Sequence, residues 1–166
     1  MNNDIHIRDV REEDMNTILS IFNEEILHGT SNYSYDPMSE KGIQSWFQEK
    51  QKNKRPVIVA EQNNQCIGFA TYDQFRKKVG YRFTMEHSVY LLSNQRGNGI
   101  GSQLMQELIR RAKEDGMHSL IGVVDANNDK SIRFHEELGF INTGMVKEVG
   151  YKFDQWLDIV ILQKIL

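Results

Sequence analysis

Gln95-Arg96-Gly97-Asn98-Gly99-Ile100-Gly101-Ser102 is the stretch on which the fold turns. It stands between an alternating run over residues 81–92 and the clearest helical pattern in the chain. In that helix Ile100, Leu104, Leu108 and Ala112 recur every fourth residue, Met105 and Ile109 widen the stripe, and Gly116 supplies a stop. A strand-to-helix turn needs one glycine. Glycines at 97, 99 and 101 also let backbone approach a ligand closely, and the unpaired N–H groups of a helix start carry partial positive charge. Together they describe a cradle for a pyrophosphate. A P-loop would end in Gly-Lys-Ser/Thr, and a Rossmann fingerprint would place its third glycine one position after Gly101, so neither of those nucleotide loops fits.

Outward from this turn, strands and helices alternate. In residues 81–92 one face carries Thr84, Glu86, Ser88 and Tyr90, and the other Met85, His87, Val89 and Leu91. Upstream, Ile5 and Ile7 read as a short strand. Met15, Ile18, Leu19, Phe22 and Ile26 form a helical stripe after the acidic turn Glu12-Glu13-Asp14. A looser segment, 28–37, carries Tyr33 and Tyr35; Ser39 then offers an N-cap for a helix packing Ile43, Trp46 and Phe47. Residues 57–60 and 66–72 read as a hairpin around Gln62-Asn63-Asn64-Gln65, followed by the charged loop Arg76-Lys77-Lys78. Downstream come a buried strand over 120–124, a short helix over 131–138 stopped by Gly139, and a terminal strand over 156–162. The expectation is an α/β chain with a mixed sheet, a single domain spanning 1–166.

Composition narrows the classes. With 39% hydrophobic and 26% charged residues the 166-residue chain reads as folded, and a net charge of -3 supplies no basic field for nucleic acid. Met1-Asn2-Asn3-Asp4-Ile5-His6 has neither a basic leader nor an apolar run, and no stretch approaches the roughly 20 apolar residues of a membrane span. A cytoplasmic protein without membrane partners is expected. Cys66, the only cysteine, sits in an apolar run and reads as core.

The run Arg96-Gly97-x-Gly99-x-Gly101 resembles the coenzyme A pyrophosphate loop of the GNAT superfamily, R/Q-x-x-G-x-G/A, with Arg96, Gly99 and Gly101 in its defining positions. Residues 128–140, from Asn128 through Gly139-Phe140, resemble the superfamily's second signature. Closer still, residues 81–90 (YRFTMEHSVY), 131–140 (SIRFHEELGF) and 149–158 (VGYKFDQWLD) are similar to the phosphinothricin and methionine sulfoximine acetyltransferase branch. The resemblance implies a GNAT fold, with a mostly antiparallel mixed sheet flanked by helices. It also implies acetyl-CoA as cosubstrate, a small amine acceptor and a homodimer.

Residue roles follow from the resemblance and from amine chemistry. An alkylammonium with a pKa of about 10.4 must lose a proton before it attacks a thioester, and Glu86 matches the branch's general base. The backbone of Val89, Tyr90 and Leu91 is expected to pair with the pantetheine arm as an added strand. Arg96, Gly97, Asn98, Gly99, Ile100, Gly101 and Ser102 are expected to hold the pyrophosphate. Asn128 and Ser131 would contact the arm, Asn128 having a helix cap as its alternative role. His135 stands where many GNAT enzymes carry a tyrosine near the sulfur, as an acid or as a positioning group. Phe75, Arg76, Tyr81, Met85, Glu86 and His87 are the candidates for the acceptor site, Arg76 as a carboxylate clamp. His6, His28, His87 and His118 are scattered without metal-ligand spacing, so no metal is expected. The competing functions are acetylation of protein lysines or N-termini, and a non-catalytic acyl-CoA-binding module.

Overall fold

The computed structural model describes residues 4–166, so the leader-free start read at Met1, Asn2 and Asn3 lies outside the described residues. Its strands are β1 (His6–Asp9), β2 (Val57–Gln62), β3 (Gln65–Gln74), β4 (Thr84–Leu91), β5 (Ser119–Asp125), β6 (Ile141–Lys152) and β7 (Gln155–Ile165). The helices are α1 (Met15–His28), α2 (Glu40–Lys52), α3 (Ile100–Glu114) and α4 (Asp129–Glu137). The strands form one seven-stranded sheet in the order β1-β2-β3-β4-β5-β7-β6. Every pairing is antiparallel except β4 with β5.

Strand alternation divides the core between the two faces. Along β2, Val57 and Val59 pack with Phe69 against Ile18, Phe22, Ile43 and Phe47 of α1 and α2. Ile58 and Ala60 face the opposite way, toward Tyr72, Met85, Leu120 and the α3 stripe Leu104, Leu108 and Ala112. Each fully buried Leu or Ile in these layers contributes about 1.5–3 kcal/mol by leaving water. Cys66 is buried in the α1–α2 layer as the sequence indicates, and burial pushes its thiol up to about 11.

Local chemistry sets the element ends. Ser39 Oγ accepts from the Gly42 N–H at 3.0 Å and caps α2. Asn63 and Asn64 take left-handed φ values of 51° and 62°, the requirement of the two-residue turn joining β2 to β3. Buried Asp14 before α1 accepts from the Arg11 N–H and from both terminal nitrogens of Arg8, whose Nε reaches Glu61 at 2.6 Å. Burial raises the Asp14 carboxyl, but these donors outweigh it and hold it below the usual carboxylate range.

Three differences from the sequence reading stand out. The long strand begins at Thr84, because Val79–Tyr81 form a 3-10 turn. Helix α4 starts two residues early, at Asp129. Strand β6 is not foreseen at all. It is an edge strand exposed along nearly all its length, and its register shifts twice against β7, between Asn142 and Gly144 and between Val146 and Gly150. Those irregularities erase the period of two by which a strand is recognised.

Candidate active site

The sheet parts at the one place where two strands run parallel. Strands β4 and β5 pair only from Thr84 with Ser119 to Glu86 with Ile121; beyond Glu86, β4 keeps its partner β3 on one side and has no strand on the other. The parting opens a cleft of about 580 Å³. One wall is β4 from Glu86 to Leu91, and the other is Gly122, Val123, Val124 and Asp125 of β5. Arg96, Gly97, Gly99, Gly101 and Ser102 close one end; Asn128, Lys130, Ser131, Phe134, His135 and Glu137 of α4 and its cap line the side.

At the glycine turn, Gly99 is the N-cap of α3 with φ 75°, and no side chain caps the helix. The first-turn N–H groups therefore have no intrahelical acceptor and are free for an anion. A Cβ on Gly101 would meet the Phe134 ring of α4 at 3.4 Å, an ordinary van der Waals contact, so α4 packs directly over the start of α3. Ile100 turns its side chain into the core and leaves only main chain for a ligand. Asn98 is exposed and does not line the cleft. Asn128 Oδ1 accepts from the Ser131 N–H at 3.0 Å, so its side chain caps α4 while the residue lines the cleft. The Arg96 guanidinium, expected at a pyrophosphate, forms an ion pair with Glu25, a nearly buried carboxylate that itself lines the cleft.

Glu86 sits at the fork. Burial raises its carboxyl above the ordinary glutamate range; Arg76 opposes the rise and Asp73, its partner across the β3–β4 ladder, adds to it. Asp73 is in turn ion-paired with buried Lys50 of α2. Behind Glu86, on the other face of β4, the rings of His87 and His135 meet with Nε2 to Nε2 at 2.9 Å. His135 Nδ1 donates to the Ser131 carbonyl at 2.6 Å, so in neutral His135 the Nε2 must accept and His87 Nε2 must donate. Burial, then the neighbouring His135, pulls His87 down to about 3, and burial lowers His135, so both are neutral near pH 7. Gly122 makes room for the pair: a Cβ there would lie 2.9 Å from His135 Nε2 and from His87 Cε1.

The remaining acceptor candidates lie elsewhere. Met85 is fully buried in the α3-side core, where β4 and β5 are still paired, and does not reach the cleft. Phe75, Arg76 and Tyr81 gather on the β3–β4 loop outside the cleft lining: the Phe75 and Tyr81 rings are 6.1 Å apart and the Arg76 guanidinium is 5.1 Å from the Phe75 ring. Gln74 Nε2 staples this loop by donating to the carbonyls of Arg76 at 2.6 Å and Lys78 at 3.0 Å. Sequence reasoning missed Glu25, Ser31 and Gly122. Glu25 interrupts an apolar helical stripe, a signal that was present; Ser31 carries none. Among the described residues no group of three or more His, Cys, Asp or Glu is placed to hold a metal, and no helix is long and apolar enough to cross a membrane.

Comparison with known proteins agrees with this geometry. The family described as Acetyltransferase (GNAT) family matches residues 16–140. An L-methionine sulfoximine/L-methionine sulfone acetyltransferase of Pseudomonas paraeruginosa is 37% identical over 158 residues, covering 95% of this chain and 92% of its own. The structure of a GNAT superfamily phosphinothricin acetyltransferase from Sinorhizobium meliloti in complex with AcCoA is 34% identical, with a TM-score of 0.94 over 98% of this chain and 88% of that one. That of a ribosomal-protein-alanine N-acetyltransferase from Brucella melitensis is 38% identical, with a TM-score of 0.95 over 97% and 99%. With the forked sheet and the glycine cradle already in place, these similarities make the chain a member of the GNAT acetyltransferase family, an N-acetyltransferase that uses acetyl-CoA.

Proposed function

We propose that the enzyme acetylates the primary amine of a small amino-acid-like compound of the methionine sulfoximine, methionine sulfone or phosphinothricin type, with Glu86 as general base. The observation that carries this reading is the position of Glu86, a half-buried carboxylate of raised proton affinity where β4 and β5 part, at the head of a cleft that runs to the glycine turn. When bound, acetyl-CoA supplies an acetyl carbon activated as a thioester. The unpaired edge of β4 at Val89, Tyr90 and Leu91 suits the amide-bearing pantetheine arm, and the N–H groups at Gly99, Ile100, Gly101 and Ser102 suit the pyrophosphate.

Glu86 accepts a proton from the incoming ammonium, directly or through one water. The nitrogen lone pair then forms the bond to the acetyl carbon while the carbon–sulfur bond breaks, and a β4 N–H donates to the carbonyl oxygen as its charge grows. The departing thiolate, with a pKa near the thiol value of about 8.5, leaves readily and takes up the second proton that the nitrogen sheds as it becomes an amide. His135, with both ring nitrogens engaged inside the protein, acts as a positioning group that holds α4 against β4.

A homodimer and a cytoplasmic location belong to the same reading. The β6–β7 edge of the sheet supports the dimer, with Ile141, Met145, Tyr151 and Trp156 all exposed, Trp156 at 62%; sedimentation and cell fractionation test the two. Acetylation of protein N-termini is the second reading, favoured by the similarity to the ribosomal-protein-alanine N-acetyltransferase. Thiol release from acetyl-CoA, measured against a panel of amino acids and peptides, separates them. Turnover on a small sulfoximine or phosphinate amino acid above that on every peptide supports the proposal, and the reverse order replaces it.

A further inference from the structure

Resting on the small-acceptor reading, we propose that Lys152 is a positioning residue for the acceptor site: its buried ammonium clasps residues 29–36 into a strap across the mouth of the cleft. Residues 29–36 are the first part of the connection over 29–39 that joins α1 to α2 without forming helix or strand. They touch the sheet on both sides of the gap. On the β4 side, Ser31 lines the cleft and its carbonyl accepts from the Tyr90 hydroxyl at 3.2 Å. On the β6 side, the Tyr35 hydroxyl donates to the Tyr151 carbonyl at 2.5 Å, and the Tyr33 ring lies so close over Gly150 that a Cβ there would sit 2.2 Å from a ring carbon. In the sheet order β5 and β7 stand between β4 and β6, so a segment that contacts both strands bridges the opening.

Lys152, at the end of β6, is what the strap closes on. It is 3% exposed, and its Nζ donates to the carbonyls of Asn32 at 2.6 Å, Gly29 at 2.7 Å and Glu25 at 3.3 Å. The Phe153 ring lies 4.9 Å from the same ammonium. Burial lowers the proton affinity of Lys152 and the Glu25 carboxylate restores part of it. A buried cation held by carbonyls in place of a carboxylate is costly unless those carbonyls stay put, and two of the three belong to the negative end of α1 or the residue just after it. One side chain thereby fixes the C-terminus of α1, the entry to the strap, and the backbone of Glu25, whose carboxylate pairs with Arg96 of the glycine turn. A strap fixed in this way admits a compact amino acid and obstructs a chain running out in both directions.

Lys152→Met keeps the stem and removes the ammonium; Gly150→Ala keeps Lys152 and displaces Tyr33. Both variants are expected to raise KM for the small amino acid acceptor by about tenfold, with KM for acetyl-CoA held within about twofold. Both should also narrow the preference over a lysine peptide and speed deuterium exchange in residues 29–36. A purely architectural lysine would lower melting temperature without that split between the two substrates. Should Lys152→Met fail to fold, Lys152→Gln, which keeps a donor and removes the charge, takes its place in the same measurements, and Gly150→Ala tests the seat of Tyr33. Unchanged acceptor KM and unchanged exchange in a folded Lys152 variant overturn the clasp. A wild-type enzyme inactive on every amino acid overturns only the small-acceptor reading, since exchange in residues 29–36 tests the clasp without any substrate.

Discussion

At the proposed coenzyme end of the cleft the protein offers main chain, whereas at the proposed acceptor end it offers groups from distant segments. The helix start at Gly99 and the strand edge of β4 without a neighbour, proposed for the pyrophosphate and the pantetheine arm, are both made of main-chain groups that nearly every residue carries. The proposed acceptor end draws Ser31 from the strap and His135 from α4, with the Arg76 charge acting on Glu86 from the β3–β4 loop outside the lining and Lys152 holding the strap from the far edge of the sheet. A backbone site tolerates substitution wherever the conformation survives, so it serves a cosubstrate that does not change. A site of assembled side chains is retuned by single replacements, which suits an acceptor that varies.

Breaking the junction between the ends should have the largest effect. Glu86→Gln is expected to keep acetyl-CoA binding and lower kcat on the order of 10²-fold or more, the scale of a lost general base. Raising the pH should restore part of the rate, because more amine then arrives neutral. Wild-type turnover in this variant near neutral pH would hand the role to another group.

Next comes the coenzyme end. Gly99→Val places a β-branched residue at φ 75°, a conformation that side chain resists, and crowds the anion's approach to the first-turn N–H groups. Its melting temperature should no longer rise with acetyl-CoA, and affinity should fall on the order of tenfold, matching about 1–2 kcal/mol for an anion at a helix start. A folded variant that binds as before would show that the cradle is not where the pyrophosphate rests.

The smallest expected effect is at the acceptor end. Arg76→Ala should raise KM severalfold for a free amino acid and little for its amide, which lacks the carboxylate a guanidinium holds. It should also move the acid limb of kcat/KM. The base form of Glu86 is present above its pKa and lost as pH falls through it; Arg76 holds that pKa down against burial, so its removal shifts the limb to higher pH. Equal losses on acid and amide, with an unmoved limb, would assign Arg76 to the loop's architecture alone.

Local chemistry explains what could be read in advance. The α3 stripe, the Ser39 cap, the Asn63-Asn64 turn and the order of strand, glycine turn and helix depend on neighbours within a few residues, and each stands where the sequence puts it. Alternation on β4 likewise separated Glu86 from His87. It did not separate Met85 from His87, which share a face: Met85 lies where β5 is still paired and is sealed in the core, and His87 lies two residues on, where the strands have parted.

The sequence by itself determined the elements other than β6, the glycine turn and the strand that carries the candidate base, because propensity, period and capping are short-range properties of the chain. Tertiary structure alone decided where β4 and β5 separate, that His87 and His135 meet over Gly122, that Arg96 answers Glu25 across 71 positions, and that Lys152 closes on carbonyls more than 100 residues upstream. Such contacts form only when burial in a shared core brings remote segments together. The free energy that selects them belongs to the packed whole and leaves no local pattern to read.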